Sequence, residues 1–476
     1  MRRMIKFLLV AALLFTSLTV GGCKKPKESA AITIDVNYDE KEGIISGKAA
    51  YKFVNTTKRV LSSVLFNLPA NAYNGKNSPC TKRRKTDAYY DGESLGGIKI
   101  TSCTLAGSHA SFDISDDELT LSVSSGEIKP ESETNIEIEF ETTLPKAALR
   151  LGITENTVNL AEFYPVLCKL TDIGFSPAGY YPIGDPYYSD VADYSLSIGV
   201  PSRFTVACSG SPEKTVIDGE RTKYSYTLKN GRDFAMVLSD KFCVSAVKSG
   251  KTDIFYYSAE KDENTEKILA EIKSCFEYFG SSFGEYPYKT FSVVETEFIL
   301  GGMEYSGLCY VAENQTPEEK LYAALHETAH QWWGITVGND QINEAFLDEG
   351  LAEFSVYLYL DSSGKNTEAE SMENERKAAY KSFFDIKSTL SGNKNTSMKR
   401  GLSTFETEDE YVAIAYDKSF IMFRELLGTA GKKRMLSSMK KFYANNKFLS
   451  GGTEELIKAF GYKEYFTSFI NGKVIV

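Results

Sequence analysis

The hydrophobic pattern of this chain changes period near residue 250, and no single layer of structure satisfies both halves. From residue 31 to about 250 the apolar residues alternate. Ile32-Thr-Ile-Asp-Val36, Ile136-Glu-Ile-Glu-Phe140, Tyr194-Ser-Leu-Ser-Ile198 and Tyr224-Ser-Tyr-Thr-Leu228 each carry the two-residue repeat of a strand with one buried face. Clusters of Gly, Asn, Asp and Ser separate these runs, so an antiparallel β-sandwich is expected over 31–250. Segment 71–97, rich in turn formers and charge, is expected to be a long loop. Beyond residue 250 the repeat becomes helical: Ile268, Leu269, Ile272, Phe276 and Phe279 form one stripe on a helix over roughly 264–282. A strand-like run, Phe291-Ser-Val-Val-Glu-Thr296, precedes the glycine-rich Gly301-Gly-Met-Glu-Tyr-Ser-Gly307, and helical patterns dominate from Thr316 onward. The expected fold class is multidomain α+β, with a mainly helical domain over 251–476 after the sandwich, and 476 residues suffice for both cores.

The first residues read as a processing signal. Arg2, Arg3 and Lys6 precede the apolar run Phe7–Phe15, and Val20-Gly21-Gly22-Cys23 resembles a bacterial lipobox. The expectation is a lipoprotein signal peptide over 1–22, a lipidated Cys23 and a linker over 23–30. The chain would then sit on the outer side of a bacterial cell membrane, held by its lipid, because no run long enough to span a bilayer follows Cys23. The other seven cysteines are irregularly spaced, form no CxxC knuckle and are expected mostly to pack as small hydrophobes. Acidic side chains outnumber basic ones, 64 to 54, which offers no basic footprint for nucleic acid. Nothing in the sequence signals an oligomeric state.

Histidine is scarce: there are three, and His326 and His330 stand four apart. Thr316-Pro-Glu-Glu319 supplies an N-cap, a proline at the first helical position and a glutamate that can return the capping bond. The helix it starts is expected to run through Leu321, Leu325 and Trp332. On it, His326 and His330 share one face, about 6 Å apart along the axis, so both imidazoles can point at one ion. Glu327, rotated about 100° from His326, can reach a hydrolytic water without being a ligand. Glu349 follows His330 by eighteen intervening residues, within Asn343-Glu-Ala-Phe-Leu-Asp-Glu-Gly-Leu-Ala-Glu-Phe354, which reads as a second helix. Two imidazoles and one carboxylate from separate helices make the three-ligand, open-position set of a catalytic zinc.

His326-Glu-Thr-Ala-His330-Gln-Trp-Trp-Gly334 with Glu349 at this spacing resembles the gluzincin site of the M1 zinc aminopeptidases. Gly301-Gly-Met-Glu304 resembles that family's glycine-x-Met-Glu exopeptidase motif, and Tyr416-Asp-Lys-Ser419 stands where the family has Tyr-x-Lys-Gly. The resemblance implies a thermolysin-like catalytic domain and one Zn²⁺ per chain on His326, His330 and Glu349. It implies Glu327 as general base and Tyr416 as donor to the developing oxyanion. Gly301, Gly302, Met303 and Glu304 would bind substrate, with the Glu304 carboxylate taking the free α-ammonium of a peptide. Glu162 is a candidate second amine contact. Glu353, one turn beyond Glu349, could orient a ligand histidine. Asp348 stands where the family has asparagine and is expected to solvate its helix. His109 is expected at the surface.

Tyr305 and Gly302 replace the usual asparagine and alanine, so the first specificity pocket is expected to differ in shape. Larger members continue into a helical C-terminal domain, whereas about 60 residues follow Tyr416 here, and a short, more open form is expected. Its expected activity is removal of N-terminal residues from peptides outside the cytoplasm. The rivals are a zinc endopeptidase and a non-catalytic, peptide-binding lipoprotein on the same scaffold.

Overall fold

The computed structural model describes residues 30–186, 188–392, 395–473 and 475. The signal segment, the lipobox and Cys23 lie outside the described residues.

Strand Ala30–Asp39 shows the alternation at work: Ile32, Ile34, Val36 and Tyr38 are buried, whereas Thr33 and Asn37 face solvent. It lies in an eight-stranded sheet whose spatial order is Ser211–Asp218, Arg221–Gly231, Ala192–Pro201, Ala30–Asp39, Ile44–Val54, Glu133–Thr143, Gly97–Leu105 and Ser108–His109. Ile34, Val36, Ile138 and Phe140 from this sheet share one core with Val64, Phe66, Leu121 and Val123 from a four-stranded sheet. The sandwich is not wholly antiparallel as expected. Ala30–Asp39 and Ala192–Pro201 run parallel, with Ile34 opposite Leu196. A parallel neighbour needs a long crossover, and the intervening strands provide it. His109 is exposed, as expected.

Segment 71–97 is less irregular than its composition implies, with a 3₁₀ turn at Pro69–Tyr73 and one helical turn at Lys85–Ala88. Buried Ala72, Cys80 and Ala88 pin it to the core. All seven described cysteines are free; six are buried and Cys243 is exposed.

The second half is built on a five-stranded sheet in the order Cys243–Ser249, Thr252–Ser258, Thr290–Thr296, Leu308–Ala312, Gly302–Tyr305. This sheet starts at Cys243, ahead of the expected handover at 250, because the hairpin 243–258 pairs onward with Thr290–Thr296. Gly302–Tyr305 is an edge strand, antiparallel to Leu308–Ala312. A second apolar cluster joins Ala161, Ala207, Ala235 and Val237 of the first half to Val294, Met303, Tyr305 and Tyr310 of this sheet.

Among the described residues eight longer helices follow the first strands: α1 (Glu263–Ser282), α2 (Pro317–His330), α3 (Phe346–Ser362), α4 (Asn366–Ser391), α5 (Ser419–Ala430), α6 (Lys432–Asn446), α7 (Thr453–Phe460) and α8 (Lys463–Ile470). The Thr316–Glu319 capping box opens α2, as its sequence predicts. The helix stops at His330 instead of continuing through Trp332. Gly334, at φ +100°, closes a turn there, and the indoles leave the helical path to pack elsewhere. Trp332 meets Phe276 and Phe279 edge-on, and Trp333 meets Phe283. No helix among the described residues is long and apolar enough to cross a membrane.

Candidate active site

Helices α2 and α3 bring three expected ligands to one point. Nε2 of His326 lies 2.9 Å from Nε2 of His330, and the two nitrogens stand 3.3 and 3.2 Å from Oε2 of Glu349. All three residues are buried. His330 Nδ1 faces the carbonyl of Trp333 at 3.0 Å. A carbonyl only accepts, so Nδ1 carries the proton and Nε2 turns its lone pair inward. Glu353 Oε1 lies 3.1 Å from Nδ1 of His326.

The surroundings favour positive charge at this point. Burial pulls the His326 imidazolium down, yet the Glu349 and Glu353 carboxylates outweigh it and raise the pKa to about 9. His330 is also raised well above its ordinary value, with Glu304 and Glu349 overcoming its burial. Burial alone would raise Glu349, but the two imidazoles hold its carboxyl well below the usual range. Two neutral imidazoles and a carboxylate at these separations fit a tetrahedral Zn²⁺ with one open position.

Glu327 projects into the same space, and its Oε2 has no hydrogen-bond partner. Burial pushes its carboxyl up to about 7, against the pull of His326 and His330. A Cβ at Gly302 would fall 2.3 Å from Glu327 Oε1, so the residue at 302 must be small where this carboxylate rests. Gly301, at φ +90°, makes the turn into this strand.

Glu304 is buried, with Oε1 4.0 Å from His330 Nδ1 and accepting from Gln341 Nε2 at 2.9 Å. Burial drives its carboxyl well above the ordinary range, with His330 pulling against it. Glu304, Met303 and Glu162 border one small cavity of about 20 Å³ with Gln341, room for a water-sized group. Glu162 adopts φ +51°, which turns the chain at the cavity. Asp348 does not solvate α3 as expected. It is buried and accepts from Asn339 Nδ2 at 2.7 Å and Gln341 Nε2 at 2.9 Å.

Tyr416 reaches the centre from a π-helical stretch, Val412–Lys418. Its ring stacks on His326, and its hydroxyl donates to Oε1 of Glu349 at 2.6 Å. The structure thus brings together His326, Glu327, His330, Glu349, Glu304 and Tyr416, with Gly302 and Met303 on the adjoining edge strand and Gly301 at the turn into it. Sequence reasoning missed Tyr411, whose hydroxyl lies 3.5 Å from the same Glu349 oxygen. It also missed Gln341 and the Arg150–Asp185 pair, in which Arg150 Nε also contacts Met303 Sδ at 3.2 Å. No local pattern marks these residues; only packing brings them here.

Residues 268–471 match the family model described as the peptidase family M1 domain. The chain is 26% identical over 191 residues to glutamyl aminopeptidase of Mus musculus and 24% identical over 235 residues to leukotriene A-4 hydrolase of Xenopus laevis. These alignments take in 36% and 48% of this chain but 20% and 37% of the relatives, so the chain spans well under half of either. Among solved structures it is similar to a mutant of an M1 zinc metallopeptidase from Deinococcus radiodurans, with a TM-score of 0.65 at 15% identity over 94% of both chains. A mutant from the same organism bound to a Tyr-Ser-Ala substrate gives 0.62 at 14% identity, over 94% of this chain and 96% of that one. At these identities the likeness is one of fold.

Proposed function

Starting from the match of residues 268–471 to the peptidase family M1 domain, we propose that the chain is a zinc-dependent aminopeptidase that trims peptides outside the cytoplasm. One observation carries this reading: the buried Glu304 carboxylate lies 4.0 Å from the ring of a ligand histidine and borders a water-sized cavity. A carboxylate there pairs with a substrate's α-ammonium and is left unpaired by an internal peptide segment.

His326, His330 and Glu349 would hold Zn²⁺, which when bound would supply Lewis-acid polarisation of the scissile carbonyl and acidify the attacking water. Glu327 accepts the proton that this water loses as its oxygen bonds to the carbonyl carbon. The same carboxyl returns the proton to the leaving nitrogen as the peptide C–N bond breaks. Tyr416 leaves its resting bond to Glu349 and donates to the oxygen that gains charge in the transition state. The edge strand Gly302–Tyr305 offers its main chain to an extended peptide.

A panel of fluorogenic aminoacyl substrates and N-acetylated peptides, each run with a chelator control, tests the reading. Chelator-sensitive release of N-terminal residues from unblocked substrates alone is expected. Internal cuts in blocked peptides at comparable rates would assign an endopeptidase, and zinc binding without turnover a peptide-binding protein.

The location belongs to the same proposal: Cys23 carries a lipid that tethers the enzyme to the outer side of a bacterial membrane. The basic residues Arg2, Arg3 and Lys6, the apolar run and the small residues before Cys23 support it. Cys23→Ala should lose the lipid and be released from the membrane. Unchanged partitioning into detergent would make the apolar run the anchor.

A further inference from the structure

The π-helical stretch Val412–Lys418 has a wider turn than an α-helix. Three consecutive side chains leave it for three different parts of the molecule. Tyr416 bonds Glu349 on α3 at 2.6 Å, Asp417 Oδ1 meets Arg376 Nη1 of α4 at 3.2 Å, and Lys418 Nζ donates to the carbonyl of Phe469 on α8 at 2.9 Å. Arg376 does not end at Asp417. Its Nη2 donates to Glu353 Oε1 at 2.9 Å, the oxygen that faces His326 Nδ1 at 3.1 Å. Glu353 and Asp417 are both buried, and the guanidinium is the cation they share.

We propose that Arg376 is a positioning residue that sets the His326 imidazole and the Tyr416 phenol in one register, acting through Glu353 on one side and Asp417 on the other. The inference rests on the peptidase reading above. A planar guanidinium suits the task because its two terminal nitrogens sit at a fixed spacing and each holds one carboxylate, Nη1 that of Asp417 and Nη2 that of Glu353. A lysine ammonium is a single point of charge and cannot span both partners in that geometry. Without the cation, two buried carboxylates face each other across the gap, and one must turn away or take a proton. The ligand histidine then loses the carboxylate that stands 3.1 Å from its Nδ1.

Four variants test this: Arg376→Gln, Arg376→Lys, Glu353→Gln and Asp417→Asn. Zinc affinity is measured by competition with a chromophoric chelator, kcat and KM on an aminoacyl substrate at saturating zinc, and folding by circular dichroism. Arg376→Gln should weaken zinc binding about 10- to 100-fold and lower kcat more than it raises KM. Glu353→Gln should reproduce the zinc loss, and Asp417→Asn should lower kcat while leaving zinc affinity at the parental value. Arg376→Lys should restore folding stability but not both functions. A folded Arg376→Gln protein with parental zinc affinity and kcat overturns the proposal. If that variant does not fold, the single-arm variants decide, and it is overturned if both move the same parameter. Failure of the peptidase reading appears instead in the unsubstituted protein, as zinc binding without turnover, and the zinc measurements on the variants remain readable.

Discussion

The hydroxyl of Tyr416 donates to Oε1 of Glu349, the outer oxygen of a carboxylate whose Oε2 faces both histidines. The group proposed to stabilise the reacting oxygen is thus parked on a ligand and must exchange partners during turnover. Tyr416→Phe should therefore lower kcat by roughly 10²–10³, with a smaller change in KM. Near-parental turnover would transfer the role to Tyr411, 3.5 Å from the same oxygen. Steady-state kinetics on the two single variants and the double variant separate these cases.

Metal retention and chemistry should come apart at adjacent positions. His326→Ala, His330→Ala and Glu349→Ala should each reduce zinc from about one per chain to near zero, as read by elemental analysis. Glu327→Gln should keep the zinc and lose at least ~10² in rate. Full zinc occupancy after both histidines are removed would disprove the ligand assignment.

Glu304→Ala should reduce kcat/KM on free-amine substrates strongly and narrow their advantage over N-acetylated ones. The acetyl group removes the cation and leaves a desolvated carboxylate without its partner, a penalty of several kcal/mol in a closed subsite. Mass spectrometry of digests should show stepwise N-terminal ladders for the parent. Equal preference in parent and variant would place amine recognition elsewhere, with Glu162 the next residue to change.

Burial pushes the Lys418 ammonium down to about 7 from its ordinary 10.5, with Arg400 and Lys473 adding repulsion. Between those values the unfolded chain binds a proton that the folded one does not, so this group makes stability rise with pH across the interval. Lys418→Met should flatten the dependence, as urea unfolding at several pH values between about 7 and 10 would measure. Identical slopes would mean that the carbonyls of Thr396 and Phe469 keep the ammonium charged throughout.

Features written into short stretches of sequence were readable in advance. The alternation in Ala30–Asp39, the capping box of Thr316 and Glu319, and the four-residue step from His326 to His330 each follow from local periodicity. Glu349 was readable from its eighteen-residue interval after His330 and the helical pattern around it. Arg376 was not, because α4 is polar along most of its length and nothing local distinguishes one cation on it from another. Asp348 was misjudged for the same reason: its burial depends on Asn339 and Gln341 folding back over α3. The end of α2 was missed because aromatic packing around Trp332 outweighs the helical pattern of the sequence.

Arg232, at the end of a sandwich strand, spends its guanidinium on main-chain oxygens of Ile335 and Leu449 in the second half, at 2.7 Å each, and of Ser189 at 3.1 Å. Thr157 and Thr296 close a similar link at 2.6 Å, and Arg150 holds Met303 from the sandwich side. Heat should therefore melt the two halves in a single cooperative transition, with matching calorimetric and van't Hoff enthalpies. A fragment starting near residue 243 would expose the apolar faces of Met303 and Tyr305 and should aggregate instead of folding. The sandwich in this sense supplies the apolar surface against which the edge strand Gly302–Tyr305 is held.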